Sequence, residues 1–145
     1  MKKFFFRLET LLKIRKTREG TMRREAEQAN QKWSKNKEKE KMLQSQIDSL
    51  MEEIHKKRAR GKLDLQETYT QILEHLRISL VQVQQNLWAQ ERQIEEQKER
   101  LQLAIQERKV IEKIKEKHYA GWHSRDSQSE GALLDEISLK KPVER

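Results

Sequence analysis

Proline is absent from this 145-residue chain until Pro142, and its glycines are Gly20, Gly61, Gly121 and Gly131 alone. A chain with so few breakers has almost nowhere to turn, which rules out the many short hairpins of an all-β fold and favours long uninterrupted helices. Charged residues make up 39% of the chain and hydrophobic ones only 34%, too little apolar matter for a conventional globular core. The sequence therefore predicts an all-α fold in which two long helices, divided at Gly61, fold back as an antiparallel coiled-coil hairpin. The hairpin is expected over residues 1–122, with a helix over about 5–58, a bend over about 59–63 and a helix over about 64–122. Asp64 and Glu67 have capping-box spacing at the start of the second helix. At 1.5 Å per residue each arm would be about 80 Å long.

A 3,4 repeat supplies the seam. In the first arm Met22, Ala29, Asn36, Leu43 and Leu50 take d, and Ala26, Trp33, Glu40, Ile47 and Ile54 take a; eight of these ten are apolar. In the second arm Tyr69, Leu76, Val83, Gln90, Gln97, Ala104 and Ile111 take d, while Leu73, Leu80, Leu87, Ile94, Leu101 and Arg108 take a. Folding about Gly61 pairs Ile54 with Tyr69, Leu50 with Leu73, Ile47 with Leu76 and Leu43 with Leu80, a tight zipper near the bend. Farther out, Trp33 meets Gln90, Ala26 meets Gln97 and Arg15 meets Arg108, so those layers are expected to be looser and to need water. Residues 123–145 lose the repeat and read as a flexible connector with a short amphipathic helix at about 130–138, edged by Leu133, Leu134 and Ile137.

Several function classes find no support. Cysteine is absent, so disulfides, thiolate metal sites and a cysteine nucleophile are excluded. His55, His75, His118 and His123 include no i,i+4 metal pair. There is no GxxxxGK[ST] or GxGxxG loop to cradle phosphates, and a pair of helices offers no closed pocket for catalysis. The expectation is a protein that is not an enzyme, with no cofactor, no metal and no small-molecule substrate. The apolar start, Phe4 to Phe6, is broken by Arg7 and Glu9 before it reaches signal-peptide length, and no segment has the roughly 18 apolar residues of a membrane span. A cytosolic chain is expected.

The net charge of +8 falls mostly in the first arm, densest at Lys13-Ile14-Arg15-Lys16, Arg23-Arg24 and Lys56-Lys57-Arg58-Ala59-Arg60-Gly61-Lys62. Glutamates interleave with these clusters and no stacking platform accompanies them, so nucleic acid is not the favoured partner. Two apolar groups exceed what one seam can cover. Phe4, Phe6 and Leu11 flank the seam positions Phe5, Leu8 and Leu12 and ask for a cover, whether the segment Leu133 to Ile137, a partner or a membrane surface. Ile78, Val81 and Trp88 stand at outward positions of the second arm, a docking candidate.

The spacing of Phe4, Phe6, Leu8, Glu9, Leu11, Leu12, Ile14, Arg15, Lys16 and Glu19, the helical stretch Glu107 to His118, and the tail Glu130, Leu134, Asp135, Glu136 and Ile137 resemble the flagellar export protein FliJ family. That resemblance implies an antiparallel two-helix coiled coil of the flagellar type III export apparatus, similar in shape to the central stalk of rotary ATP synthases. It implies a stalk or adaptor that enters the ring of a hexameric export ATPase (FliI-like), touches an export gate protein (FlhA-like) and sometimes escorts export chaperones. It places the protein in the cytoplasm, peripheral at the inner-membrane base of the apparatus. Ring contacts then fall on Phe4, Phe6, Leu8, Leu11, Leu12, Arg15, Lys113 and Lys117, and gate contacts on Lys56, Lys57, Arg58, Ile78, Val81 and Trp88. The alternatives are an injectisome stalk of the same architecture, or a basic coiled coil binding nucleic acid or anionic membrane.

Overall fold

The computed structural model describes residues 3–61 and 65–140, apart from the side chains of residues 139 and 140. The described residues form two helices, α1 over Glu9–Ala59 and α2 over Gln66–Lys140, and no strand. The fold is all-α, with the two helices packed against each other. Between them the chain turns where Arg60 N–H donates to the Lys56 carbonyl at 3.2 Å and Gly61 N–H to the Arg58 carbonyl at 3.0 Å. Gly61 has φ of +70°, the left-handed conformation that closes a helix and that L side chains adopt only with strain. Lys56, Lys57 and Arg58 fill the last turn of α1, where positive charge complements the helix dipole. The expected cap Asp64 lies outside the described residues.

Contacts divide the chain into two compact units, Met1–Thr21 with Gln102–Arg145, and Met22–Leu101. In the first unit α1 and α2 run antiparallel, as the ion pairs Glu9–Lys115 and Arg15–Glu107 record. Its core is Phe6, Leu12 and Ile111, with Phe4, Leu8, Leu11 and Ile114 packed against them. Ala104 is also buried. In the second unit the antiparallel sense is fixed by hydrogen bonds from Asn36 to Gln90 (3.0 Å) and from Trp33 to Glu91 (3.3 Å). There Ala29, Ile47, Val83 and Leu87 are buried, while Leu43, Leu50, Ile54, Tyr69, Leu73, Leu76 and Leu80 are half-buried.

Three features depart from the sequence reading. Helix α1 starts at Glu9, not near Phe5: residues 3–8 are not helical, and Glu9 N–H donates to the Phe6 carbonyl at 3.1 Å. Release from helical register turns Phe6 inward and leaves Phe5, a seam position in the continuous repeat, 85% exposed. Helix α2 continues through residues 123–132, where a connector was expected, to Lys140. One interior glycine in that stretch, Gly131, costs a helix only about 1 kcal/mol, and residues 132–138 are all exposed. The lost repeat there signals the lack of a facing helix rather than the lack of a helix. Finally, the deepest burial is in the first unit, at Leu12 (1%), not beside the bend. Most seam side chains nearest the turn stay half open, with only two helices to cover them, whereas the non-helical residues Phe4 to Leu8 add a third layer over α2.

Candidate functional site

Phe4 and Phe6 are roofed by α2. The Phe4 ring meets Tyr119 edge-on at 5.2 Å and Trp122 at 5.6 Å, and the Phe6 ring meets His118 edge-on at 5.8 Å. Tyr119 in turn stacks with His123 at 6.0 Å. His118, Tyr119, Trp122 and His123 recur at i and i+4, so two turns of α2 present one aromatic surface to the entering chain. This is the cover that the sequence left open, and it is not the stretch Leu133 to Ile137, whose apolar side chains are all more than half exposed. Beside this roof lies an open bay of about 580 Å³ between Phe4 and Phe5 on one side and Lys117, His118, Gly121, Trp122, Ser124 and Arg125 on the other.

An ion-pair ladder borders the same unit. Lys115 reaches Glu9 at 2.8 Å, and Glu107 accepts from Arg15 at 2.6 Å with Arg18 at 3.7 Å. Arg108, a seam position, pairs with Glu19 and, at 2.7 Å, with Glu112. The expected layer of Arg15 against Arg108 is thus resolved by a glutamate for each arginine. The hydrogen bond from Lys115, helped by its charge and those of Lys13 and Lys16, holds the Glu9 carboxyl below the ordinary carboxylate value. The hydrogen bond to Glu112, and then Glu19, holds the Arg108 guanidinium still more firmly charged.

Of the residues expected at an ATPase ring, Phe6 and Leu12 are buried, Phe4, Leu8, Leu11 and Arg15 are half-buried, and Lys113 and Lys117 are exposed. Phe6 and Leu12 therefore shape this surface from beneath and do not offer their own side chains.

The second unit holds the residues expected at an export gate. Ile78, Val81 and Trp88 are each more than half exposed. The Arg92 guanidinium lies over the Trp88 ring at 4.8 Å, and with Trp33, Glu91 and Ile94 they border an open bay of about 480 Å³. Nearer the turn, Lys57 bonds the Tyr69 hydroxyl, lies over its ring at 4.5 Å and approaches Glu53 at 3.7 Å. The Tyr69 hydrogen bond, with Glu53 behind it, raises the Lys57 pKa above the ordinary lysine value. Lys56 pairs with Glu52 at 3.4 Å, and Arg58 is exposed. The stacking of Arg92 on Trp88 and the placement of Trp33 beside it had no sequence signal beyond an i,i+4 Trp–Arg spacing.

No group of three or more His, Asp or Glu among the described residues is arranged to hold a metal, and no helix in them is long and apolar enough to cross a membrane. A family model described as Flagellar FliJ protein matches residues 4–144. No curated protein and no solved structure matches the chain.

Proposed function

The chain belongs to the flagellar FliJ family, matched over nearly its whole length, and has a role in flagellar protein export; from that premise we propose that it is a non-catalytic stalk or adaptor of the export apparatus. In this reading the first unit engages a hexameric, FliI-like ATPase and the second a FlhA-like gate, with export chaperones as further clients, in the cytoplasm at the inner-membrane base of the apparatus. The family match carries the reading. The structure supports its physical side: the first unit joins a dry core at Leu12 to a surface of exposed cations, Lys113 and Lys117. The packed core holds the backbone beneath these lysines, so a partner has only their side chains left to order. On the gate side, Ile78, Val81 and Trp88 supply exposed apolar anchors, and Lys56, Lys57 and Arg58 supply positive charge in the last turn of α1.

The test is the turnover of the purified export ATPase with and without this chain. Intact protein is expected to raise turnover, and Lys113→Glu with Lys117→Glu to abolish the rise while circular dichroism stays unchanged. Deletion of residues 1–15 is a poor test because it removes Phe6 and Leu12 from the core. No stimulation by the intact chain would overturn the ring contact.

A further inference from the structure

The face of the first unit that holds the Phe5 bay carries more than the proposed ring contact uses. Leu103, Val110, Lys117, Gly121 and Ser124 follow one another on α2 at spacings of seven, seven, four and three residues, which puts them on one face of the helix. Leu103 and Val110 are more than half exposed. At the end of this stripe Phe5, in the non-helical segment, stands almost wholly in solvent beside the half-buried Trp122. Gly121 floors the bay, and a Cβ placed on it would meet nothing within 4 Å. No internal packing accounts for a glycine here, in the middle of a helix it weakens.

The charges that line the bay have one sign. The charged residues that line the bay are Lys117 and Arg125, and Lys3, Arg7 and Lys113 nearby are exposed. Glu107, which helical spacing sets next to Leu103 and Val110, is neutralised by Arg15 and Arg18. Separated apolar side chains, an exposed phenylalanine with a tryptophan behind it and a rim of cations lack the dense apolar centre of a protein interface. They fit a flat partner that takes aromatic and aliphatic groups at shallow depth and offers negative charge at its surface.

We infer that this face of the first unit docks on a bilayer of anionic phospholipid, with Phe5 and Val110 entering the headgroup boundary and Lys117 and Arg125 pairing with lipid phosphates. The inference extends the proposed placement at the inner membrane by naming the surface and the lipid chemistry, and it is read from the first unit alone. Because Lys117 also belongs to the proposed ring contact, ATPase-bound protein leaves the lipid.

The experiment uses full-length protein with Trp33→Phe and Trp88→Phe, so that Trp122 alone reports. It is mixed with vesicles of phosphatidylcholine, or of phosphatidylcholine and phosphatidylglycerol at roughly three to one, the latter being negatively charged. The expected result is co-sedimentation and a blue-shifted Trp122 emission with the anionic vesicles alone, weakening as salt rises. Arg125→Glu is expected to lower affinity by at least about fivefold, one surface charge's worth. Phe5→Ser and Gly121→Gln are expected to weaken binding as well, and Gly121→Gln cannot do so by unfolding because it improves the helix. Equal binding to neutral vesicles, or binding with Trp122 unmoved and the three variants unaffected, would overturn it. So would a Trp122 shift with polyglutamate and none with vesicles, which would assign the face to an acidic protein. ATPase stimulation is measured separately, and either result stands if the other fails.

Discussion

Glu19 and Arg108 sit at seam positions where leucine would be the ordinary choice, and their ion pair fills a layer that would otherwise hold apolar side chains. Burying a charge is tolerable only while its partner is present. Arg108→Leu is therefore expected to lower the melting temperature by taking one charged partner from the buried Glu19, 9% exposed. Glu19→Leu together with Arg108→Leu should recover the loss or exceed the parent, and a double variant less stable than Arg108→Leu alone would refute this. The aromatic segment makes a sharper contrast. Leu12, at 1% exposure, touches the centre of the core, so Leu12→Ala is expected to cost about 2–5 kcal/mol in chemical denaturation. Phe5→Ala, at 85% exposure, should stay within about 0.5 kcal/mol. Equal costs at the two positions would mean that the chain before Glu9 does not lie as described.

At the scale of the element, each end of α1 is set by a different force. Its C-terminus is local chemistry: Gly61 takes positive φ and the last turn is basic. Gly61→Ala should accordingly cost about 1–2 kcal/mol, whereas Gly121→Ala, inside α2 with open space at its Cβ, should gain about 0.5–1 kcal/mol. Thermal melts of the two variants that move in the same direction would contradict the backbone assignment. Such local effects are the part of the fold that is legible in the sequence. The two helices, the turn at Gly61 and the outward places of Ile78, Val81 and Trp88 follow from breaker positions and period, which each stretch of sequence carries by itself. The entry into α1 does not, because Phe4 and Phe6 leave helical register to meet Tyr119, Trp122 and His118, more than a hundred residues away in sequence. Nor does the end of α2, since a heptad pattern records a facing partner and not the helix itself. Residues 132–138, exposed throughout, have little tertiary packing to hold their backbone hydrogen bonds. Their amides are expected to exchange with solvent much faster than those around Ala104 and Ile111.

Across the whole molecule, titration offers a way to make each unit report separately. Glu9, in the first unit, has a lowered pKa because Lys115 donates a hydrogen bond to its carboxylate. A depressed acid contributes stability that is present above its ordinary value of 4.5 and is lost as pH falls through the lower folded value. Lys57, in the second unit, has a raised pKa because of its bond to Tyr69 and its nearness to Glu53. A raised base contributes stability that is present below its ordinary value of 10.5 and is lost as pH climbs through the higher folded value. Arg108 adds no window of its own, since a guanidinium stays charged throughout. The acid limb thus belongs in part to the first unit, below pH 4.5, and the alkaline limb in part to the second, above pH 10.5. Both pairs are solvent-accessible, so each limb should be deepest at low ionic strength and shallow in high salt. Trp122 lies in the first unit and Trp33 and Trp88 in the second, and single-tryptophan proteins followed by fluorescence through denaturant at each pH read the two apart. Glu9→Gln is expected to flatten the acid limb seen by Trp122 while leaving the alkaline limb seen by Trp33, and Lys57→Met to do the reverse. If both substitutions changed both limbs equally, the effect of each pair would not be confined to its own unit, and the chain would respond to either titration as a whole.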